Sequence, residues 1–269
     1  MTERGARRIP DSPSNSGRPV DAAFRPSWAG VVVPARDEAE LLPACLRSLA
    51  VAAGHCPVPV RIVVALDRCA DGSDRVVEAL ARDGVPVRAV AAELPGVGAA
   101  RAAGVRALLA EAGAAGVPVG EVWLATTDAD SEVPPHWLAH QLGHAARGAR
   151  AVVGTVRVGD WSPQPPGVAE RYARRYRAEH GHRHLHGANL GFTASSYLGV
   201  GGFAELASDE DVDLVTRLAD AGTELVWVAD LAVTTSARRV GRAPAGFAQH
   251  LAELATCGTE QEQEAFDVG

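Results

Sequence analysis

The sequence predicts an α/β fold, a mostly parallel central sheet with helices on both faces. Short apolar runs alternate with segments of helical spacing from residue 28 onward, the rhythm of right-handed strand–helix crossovers. The runs end at proline, glycine or aspartate, which punctuate elements. With 47% hydrophobic residues among 269 and a mean hydropathy near zero, the chain can fill one sizeable core.

The first strand is WAGVVVPA (28–35), stopped at Pro34. EAELLPACLRSLAVAA (38–53) places Leu41, Leu42, Cys45, Leu46 and Leu49 at helical spacing. VPVRIVVALD (58–67) is the second strand, followed by a helix near 73–82. VPVRAVAA (85–92) is the third, followed by the Ala-rich helix 98–113. EVWLATT (121–127) is the fourth, with a helix over 134–148 and a fifth strand at 149–158. Residues 161–187 are polar and rich in Arg and His, and GANLGFTASSYLGVGGF (187–203) reads as a small-residue helix closed by a glycine turn. SDEDVDLVTRLADAG (208–222) is a helix capped by Ser208 or Asp209 and stopped by Gly222. Two strands, 224–230 and 232–238, precede a last helix near 244–256.

Composition removes several functions. A net charge of −7 argues against nucleic acid as a partner. All 26 basic residues are arginine, so the lysine of a P-loop, of a kinase strand or of a Schiff-base enzyme is missing. No run reaches the ~18 apolar residues of a membrane span, though peripheral membrane contact stays open. The leader 1–28 lacks an apolar signal region and reads as disordered; the tail 259–269 reads as mobile. Cys45, Cys56, Cys69 and Cys257 lack metal-type spacing, which suits reduced thiols in a cytoplasmic protein.

The chemistry collects just past the strand ends, where open α/β sheets bind ligands. Arg36, Asp37 and Glu38 follow the first strand, Asp67 the second, Gly96, Gly98 and Arg101 the third, and Asp128 with Asp130 the fourth. Carboxylates crowded on one edge need a cation or donors to balance them, and oxygen ligands favour Mg2+ or Mn2+ over zinc. The plain alternative for Asp128 and Asp130 is an N-cap pair ahead of the next helix.

Five ordered blocks, VVVPARDEAELLPACLRSL, VVALDRCADGSDRV, TTDADS, GANLGFTASSYLGVGGF and SDEDVDLVTRLADAG, resemble the family 2 glycosyltransferases of the GT-A fold over roughly residues 29–240. The resemblance implies one domain over 29–258, with a nucleotide-sugar half at 29–158 and an acceptor half at 159–258. It implies that Pro34, Ala35, Arg36 and Glu38 line the nucleoside pocket and that Asp67 meets the base edge. Many members read D-D-G-S where this chain has LDRCADGS, so Asp71 is displaced. Gly98 and Arg101 match a turn and arginine beside the nucleotide. Asp128 then contacts ribose, sugar or metal, Asp130 holds metal and diphosphate, and Asp211 is the general base with Glu210 as its neighbour. His186, Gly187, Asn189 and Arg238 are candidates for acceptor or phosphate contacts. The implied reaction is metal-dependent, inverting and non-processive transfer of a hexosyl-type sugar from a nucleotide-diphosphate sugar to an acceptor hydroxyl. The acceptor itself and the oligomeric state are not legible.

Other readings stand beside this one. PGVGAARAAG nearly matches a dinucleotide fingerprint, but Arg101 replaces the third glycine and the turn follows the wrong strand. A non-catalytic nucleotide-sugar binder and a nucleotidyltransferase share the pocket type; the latter commonly needs a lysine. The helix bearing Asp211 has a surface reading, with acids on its N-terminal dipole. Segment 170–186 is either a solvated basic stretch or a holder of anions, and His180, His182, His184 and His186 alone make a poor zinc site. Arg238, Arg239 and Arg242 either close over a diphosphate or are surface charge. Trp123 and Trp227 read as core; Trp137 and Trp161 read as nearer the cleft, where they could stack on a sugar.

Overall fold

The computed structural model describes residues 24–242 and 246–266. Its eight strands are β1 (Trp28–Ala35), β2 (Val60–Leu66), β3 (Val87–Ala91), β4 (Val122–Thr126), β5 (Ser131–Glu132), β6 (Ala151–Val158), β7 (Leu190–Thr193) and β8 (Leu225–Thr235). They form one sheet in the order β3-β2-β1-β4-β7-β6-β8-β5. All pairs among β1 to β4 are parallel, as is β6 with β8; β7 runs antiparallel between β4 and β6, and β5 antiparallel to β8.

Period-two alternation makes β1 the divider between two cores. Ala29, Val31 and Val33 face one cluster with Leu42, Leu46 and Leu49 of helix α1 (Leu42–Gly54). Val77 of α2 (Ser73–Arg82) and Leu138 of α4 (Trp137–Ala146) lie in that same layer. Trp28 and Val32 face the other layer, with Val105 and Leu108 of α3 (Val97–Ala114). There a Cβ on Gly104 would come within 2.2 Å of Val32, so glycine lets α3 lie close on β1. Tyr197 of α6 (Ala194–Gly199) and Leu214 of α7 (Glu210–Asp220) complete that face. A third cluster joins α5 (Val168–Arg175) to α8 (Phe247–Phe266) through Val168, Tyr172, Leu251 and Leu254.

Three expectations are corrected. The helix expected over 187–203 is a 3-10 turn at Gly187–Asn189, then β7, then the short α6. The four residues of β7 are buried on both faces between β4 and β6, a tertiary slot that small-residue spacing cannot reveal. The two late strands are one, β8, whose register against β6 shifts between Gly154 and Val156. Asp209 occupies the cap position of α7 with a left-handed backbone (φ 61°) and no side-chain cap bond; Gly222 does end the helix (φ 72°). The tail is helical through Phe266, with 267–269 outside the described residues. Of the leader, residues 1–23 lie outside them, while Phe24 is buried against Trp123 at 6.1 Å. Among the described residues no helix is long and apolar enough to cross a membrane. Cys45, Cys56 and Cys69 are free thiols.

Candidate functional site

The parallel strands deliver their carboxyl ends to one edge, where a cavity of about 690 Å³ opens. Its floor comes from the end of β1 (Pro34, Ala35, Arg36, Glu38), Asp67 after β2, and Asp128 with Asp130 after β4. Helix α3 adds Arg101, α7 adds Glu210 and Asp211, the turn before β7 adds His186 and Gly187, and the segment after β8 adds Arg238.

Two arginines, Arg101 buried and Arg238 a quarter exposed, organise the acids. Arg101, 2% exposed, donates from Nε to Thr126 Oγ1 at 3.1 Å and from Nη2 to Asp128 Oδ1 at 2.5 Å. Its Nη1 pairs with Glu210, itself 3% exposed. One guanidinium fork thus ties β4 to the start of α7, which charge-assisted pairing of fixed geometry suits. Gly187 faces it: a Cβ there would sit 2.4 Å from the guanidinium nitrogens. Arg238 reaches across 200 residues, with Nη1 at 2.7 and 2.9 Å from the Glu38 carboxylate and Nη2 at 3.0 Å from Asp130 Oδ2.

Burial leaves three carboxylates harder to ionise. Asp130 is pushed up to about 6 by burial, against the pull of Arg238 and with the push of Asp128 and Glu38. Glu38 is raised by burial, with Arg238 opposing. Asp211 is raised by burial, with Arg101 opposing. Among the described residues the cleft is lined by seven carboxylates, Glu38, Asp67, Asp128, Asp130, Asp209, Glu210 and Asp211, against five arginines.

Among the described residues three non-glycine residues take left-handed backbone, Asp37 (φ 52°), Arg68 (φ 52°) and Asp209 (φ 61°). Each adjoins a cleft carboxylate, Glu38, Asp67 and Glu210. Such conformations cost of order 1 kcal/mol each and persist where surroundings dictate them. For the first two the surroundings are visible. Asp37 accepts from Ala70 N (2.8 Å), and Asp71 accepts from Ala39 N (2.8 Å) and from Ser73 N and Oγ (3.0 and 2.6 Å). The displaced Asp71 is therefore a clasp between the loops after β1 and β2. Asp37, Cys69 and Asp71 do group closely enough to share a metal ion. Their ligand atoms already serve this clasp, since Cys69 Sγ donates to Ala35 O and accepts from Asp37 N. Asp67 takes Gly96 N (3.0 Å) and Arg68 Nε (2.9 Å), with Arg36 at 3.8 Å.

Two sequence candidates lie off the cleft. Gly98 packs beneath it, where an added Cβ would meet Ala204 O at 2.2 Å; Gly96 lines the wall instead. Asn189 is fully buried, donating to Thr155 O (2.8 Å) and Leu231 O and accepting from Trp137 Nε1 (2.9 Å). It ties strands together, and Trp137 is core for the same reason. Trp161 packs on Tyr172 at 5.3 Å. The residues that sequence reading passed over are Tyr172, Tyr176 and Phe247, which line the cavity. Their signal was present, tyrosines four apart on one helical stripe, but the arginines around them drew the attention.

The oxygen donors of Asp128 and Asp130 suit a hard divalent ion. Arg101 engages Asp128 through Oδ1, and Asp130 Oδ1 has only a 3.4 Å contact from Ser131 Oγ. With the excess of carboxylates, the residues fit such an ion, on condition that Arg238 yields or shares Asp130 Oδ2.

The glycosyl transferase family 2 model matches residues 30–199, and the chain belongs to that family. Its fold is that of GT-A glycosyltransferases. S. aureus TarS 1–349 in complex with UDP-GlcNAc superposes with a TM-score of 0.58 at 16% identity, covering 84% of this chain and 64% of that one. The mannosyltransferase PcManGT from Pyrobaculum calidifontis, in complex with GDP-Man and Mn2+, gives 0.53 at 20% identity, covering 88% and 72%. GalNAc-T7 with UDP, GalNAc and Mn2+ gives 0.55 at 16% identity, covering 81% and 45%. The chain spans 60%, 64% and 42% of three TarS structures it matches and 69% of a fourth. No curated protein sequence matches the chain.

Proposed function

We propose that the cleft transfers a sugar from a nucleotide-diphosphate sugar to an acceptor hydroxyl, one residue per encounter, with inversion at the anomeric carbon. The observation that carries this is the convergence of Glu38, Asp67, Asp128, Asp130 and Asp211 on one cavity at the carboxyl edge of the sheet, organised by two arginines.

In this reading the loops after β1 and β2 hold the nucleoside, with Asp67 offering an acceptor to the base edge. Asp211, raised by burial, takes the proton of the acceptor hydroxyl as its oxygen bonds to the anomeric carbon. The bond to the diphosphate breaks and its electron pair leaves on the diphosphate oxygen. Asp128 and Asp130 are the residues that would hold a Mn2+ or Mg2+ ion. Bound there, the ion would offset charge on the departing diphosphate. Arg238 stands ready to turn from Asp130 toward the same phosphates. Mn2+ in two of the similar GT-A structures supports the choice of metal, and the nucleotide-sugar complexes support the donor class.

The experiment is a thermal-shift panel of UDP-, GDP-, ADP- and TDP-sugars with and without Mn2+. Ligand at a hundredfold excess over Kd stabilises by about 2.7 kcal/mol. A metal-dependent shift with one base, lost in Asp130→Ala, is the expected result; no shift with any nucleotide overturns the reading. Asp211→Asn is expected to keep the shift while transfer falls by roughly 10²–10⁴-fold. Unchanged transfer removes Asp211 as the base.

A further inference from the structure

Beyond Asp211 the cleft changes character. Its far wall is built from Tyr172, Tyr176, His184, His186, Phe247 and His250, drawn from α5, the segment before β7, and α8. The rings form a continuous platform. Tyr176 stacks on Tyr172 at 4.8 Å (15°) and on His184 at 4.0 Å (22°). Phe247 stands edge-on to Tyr172 (5.9 Å, 86°) and to His186 (6.1 Å, 84°).

This wall carries no charge near neutral pH. Burial lowers the pKa of His184 and His250, and takes His186 down to about 3. The arginines that crowd this stretch of sequence point elsewhere: Arg171, Arg174, Arg175, Arg177 and Arg183 do not line the cavity. Arg171 donates to Leu254 O, and Arg183 lies over the Trp227 ring. No carboxylate belongs to the platform. Two of its polar atoms, His186 Nε2 and Tyr172 Oη, are buried and have no hydrogen-bond partner among the described residues. An uncharged wall of ring faces and edges with two unmet polar atoms suits a ring-shaped, neutral guest that offers hydroxyls or a carbonyl. A charged guest would be desolvated there without a partner.

We propose that this aromatic platform is the acceptor subsite and that the acceptor is an uncharged, ring-bearing alcohol whose ring lies on the platform while its hydroxyl meets Asp211. The assignment rests on the transferase reading, and the test separates the two. Saturation-transfer NMR is run on the full chain with UDP and Mn2+. The probes are 4-nitrophenyl β-D-glucoside, 4-nitrophenyl β-D-glucuronide, methyl β-D-glucoside and benzyl alcohol. The neutral aryl glucoside is expected to bind, and the glucuronide at least about tenfold more weakly because its carboxylate meets no cation. His184→Ala and Phe247→Ala are each expected to weaken the aryl glucoside roughly three- to tenfold, with His184→Phe restoring it. Saturation transfer to methyl glucoside or to benzyl alcohol alone tells whether a sugar ring or an aromatic ring is the preferred face. Equal binding of the glucuronide, or aryl-glucoside binding untouched by both alanine variants, overturns the assignment. The nucleotide thermal shift of the wild type is read in parallel. Its loss overturns the transferase reading, whereas a normal shift without aryl-glucoside binding overturns the acceptor assignment alone.

Discussion

Replacing Arg101 by methionine tests the electrostatic centre of the cleft. Methionine keeps much of the aliphatic length but removes the cation. Asp128 loses a partner yet can hydrate, since its side chain is 39% exposed. Glu210 cannot, with a side chain 4% exposed. Leaving a buried charge unpaired costs about 3–5 kcal/mol. In a chain of this size that lowers Tm by roughly 6–20 °C. Glu210 would then take up a proton more readily in the folded state than in the unfolded one. The deficit is therefore smaller near pH 5 and grows toward pH 8. Denaturant titration with a constant m-value reads the loss directly. The double variant Arg101→Met/Glu210→Leu removes the pair together and is expected to be more stable than Arg101→Met, because no charge is left buried. A loss below about 1 kcal/mol in the single variant, or a double variant less stable than the single, would refute this account of the pair.

Three further outcomes are expected. Gly98→Ala drives a Cβ into the Ala204–Leu206 backbone at 2.2–2.8 Å and should cost about 1–3 kcal/mol. Gly113→Ala on the open side of the same helix should be stabilising by about 0.4–1 kcal/mol; equal Cm values for the two dismiss the close-packing argument. His186, held neutral down to about pH 3 when folded and titrating near 6.5 when unfolded, contributes stability that is complete above 6.5 and drains away as pH falls toward 3. Denaturant midpoints from pH 7.5 to 5 should therefore drop less in His186→Leu than in wild type, and parallel curves would speak against a buried neutral imidazole. Arg238→Ala frees Asp130 and Glu38 from their cation, so Mn2+ should raise Tm more in this variant than in wild type, with chelation reversing the gain; an equal or smaller rise would mean that Arg238 and the metal do not share Asp130.

What the sequence determined by itself were the elements whose signals are local. The apolar runs of β1, β2, β4 and β6 and the helical spacing of α1 to α4 need no partner to be recognised, because each pattern matches its own geometry. The strand-end rule then gathered Glu38, Asp67, Asp128 and Asp130 without any coordinates. Tertiary structure decided what depends on neighbours distant in sequence. Four residues became β7 because β4 and β6 left a slot for them. Asn189 became a core tie because Trp137, Thr155 and Leu231 converge on it. Arg238 met Glu38 across 200 residues, and Tyr172 of α5 with Tyr176 just past its end turned into the cleft while the arginines of α5 turned out. Sequence reports the chemistry a side chain carries; only packing decides which way it faces, because that choice is made by the surface it meets.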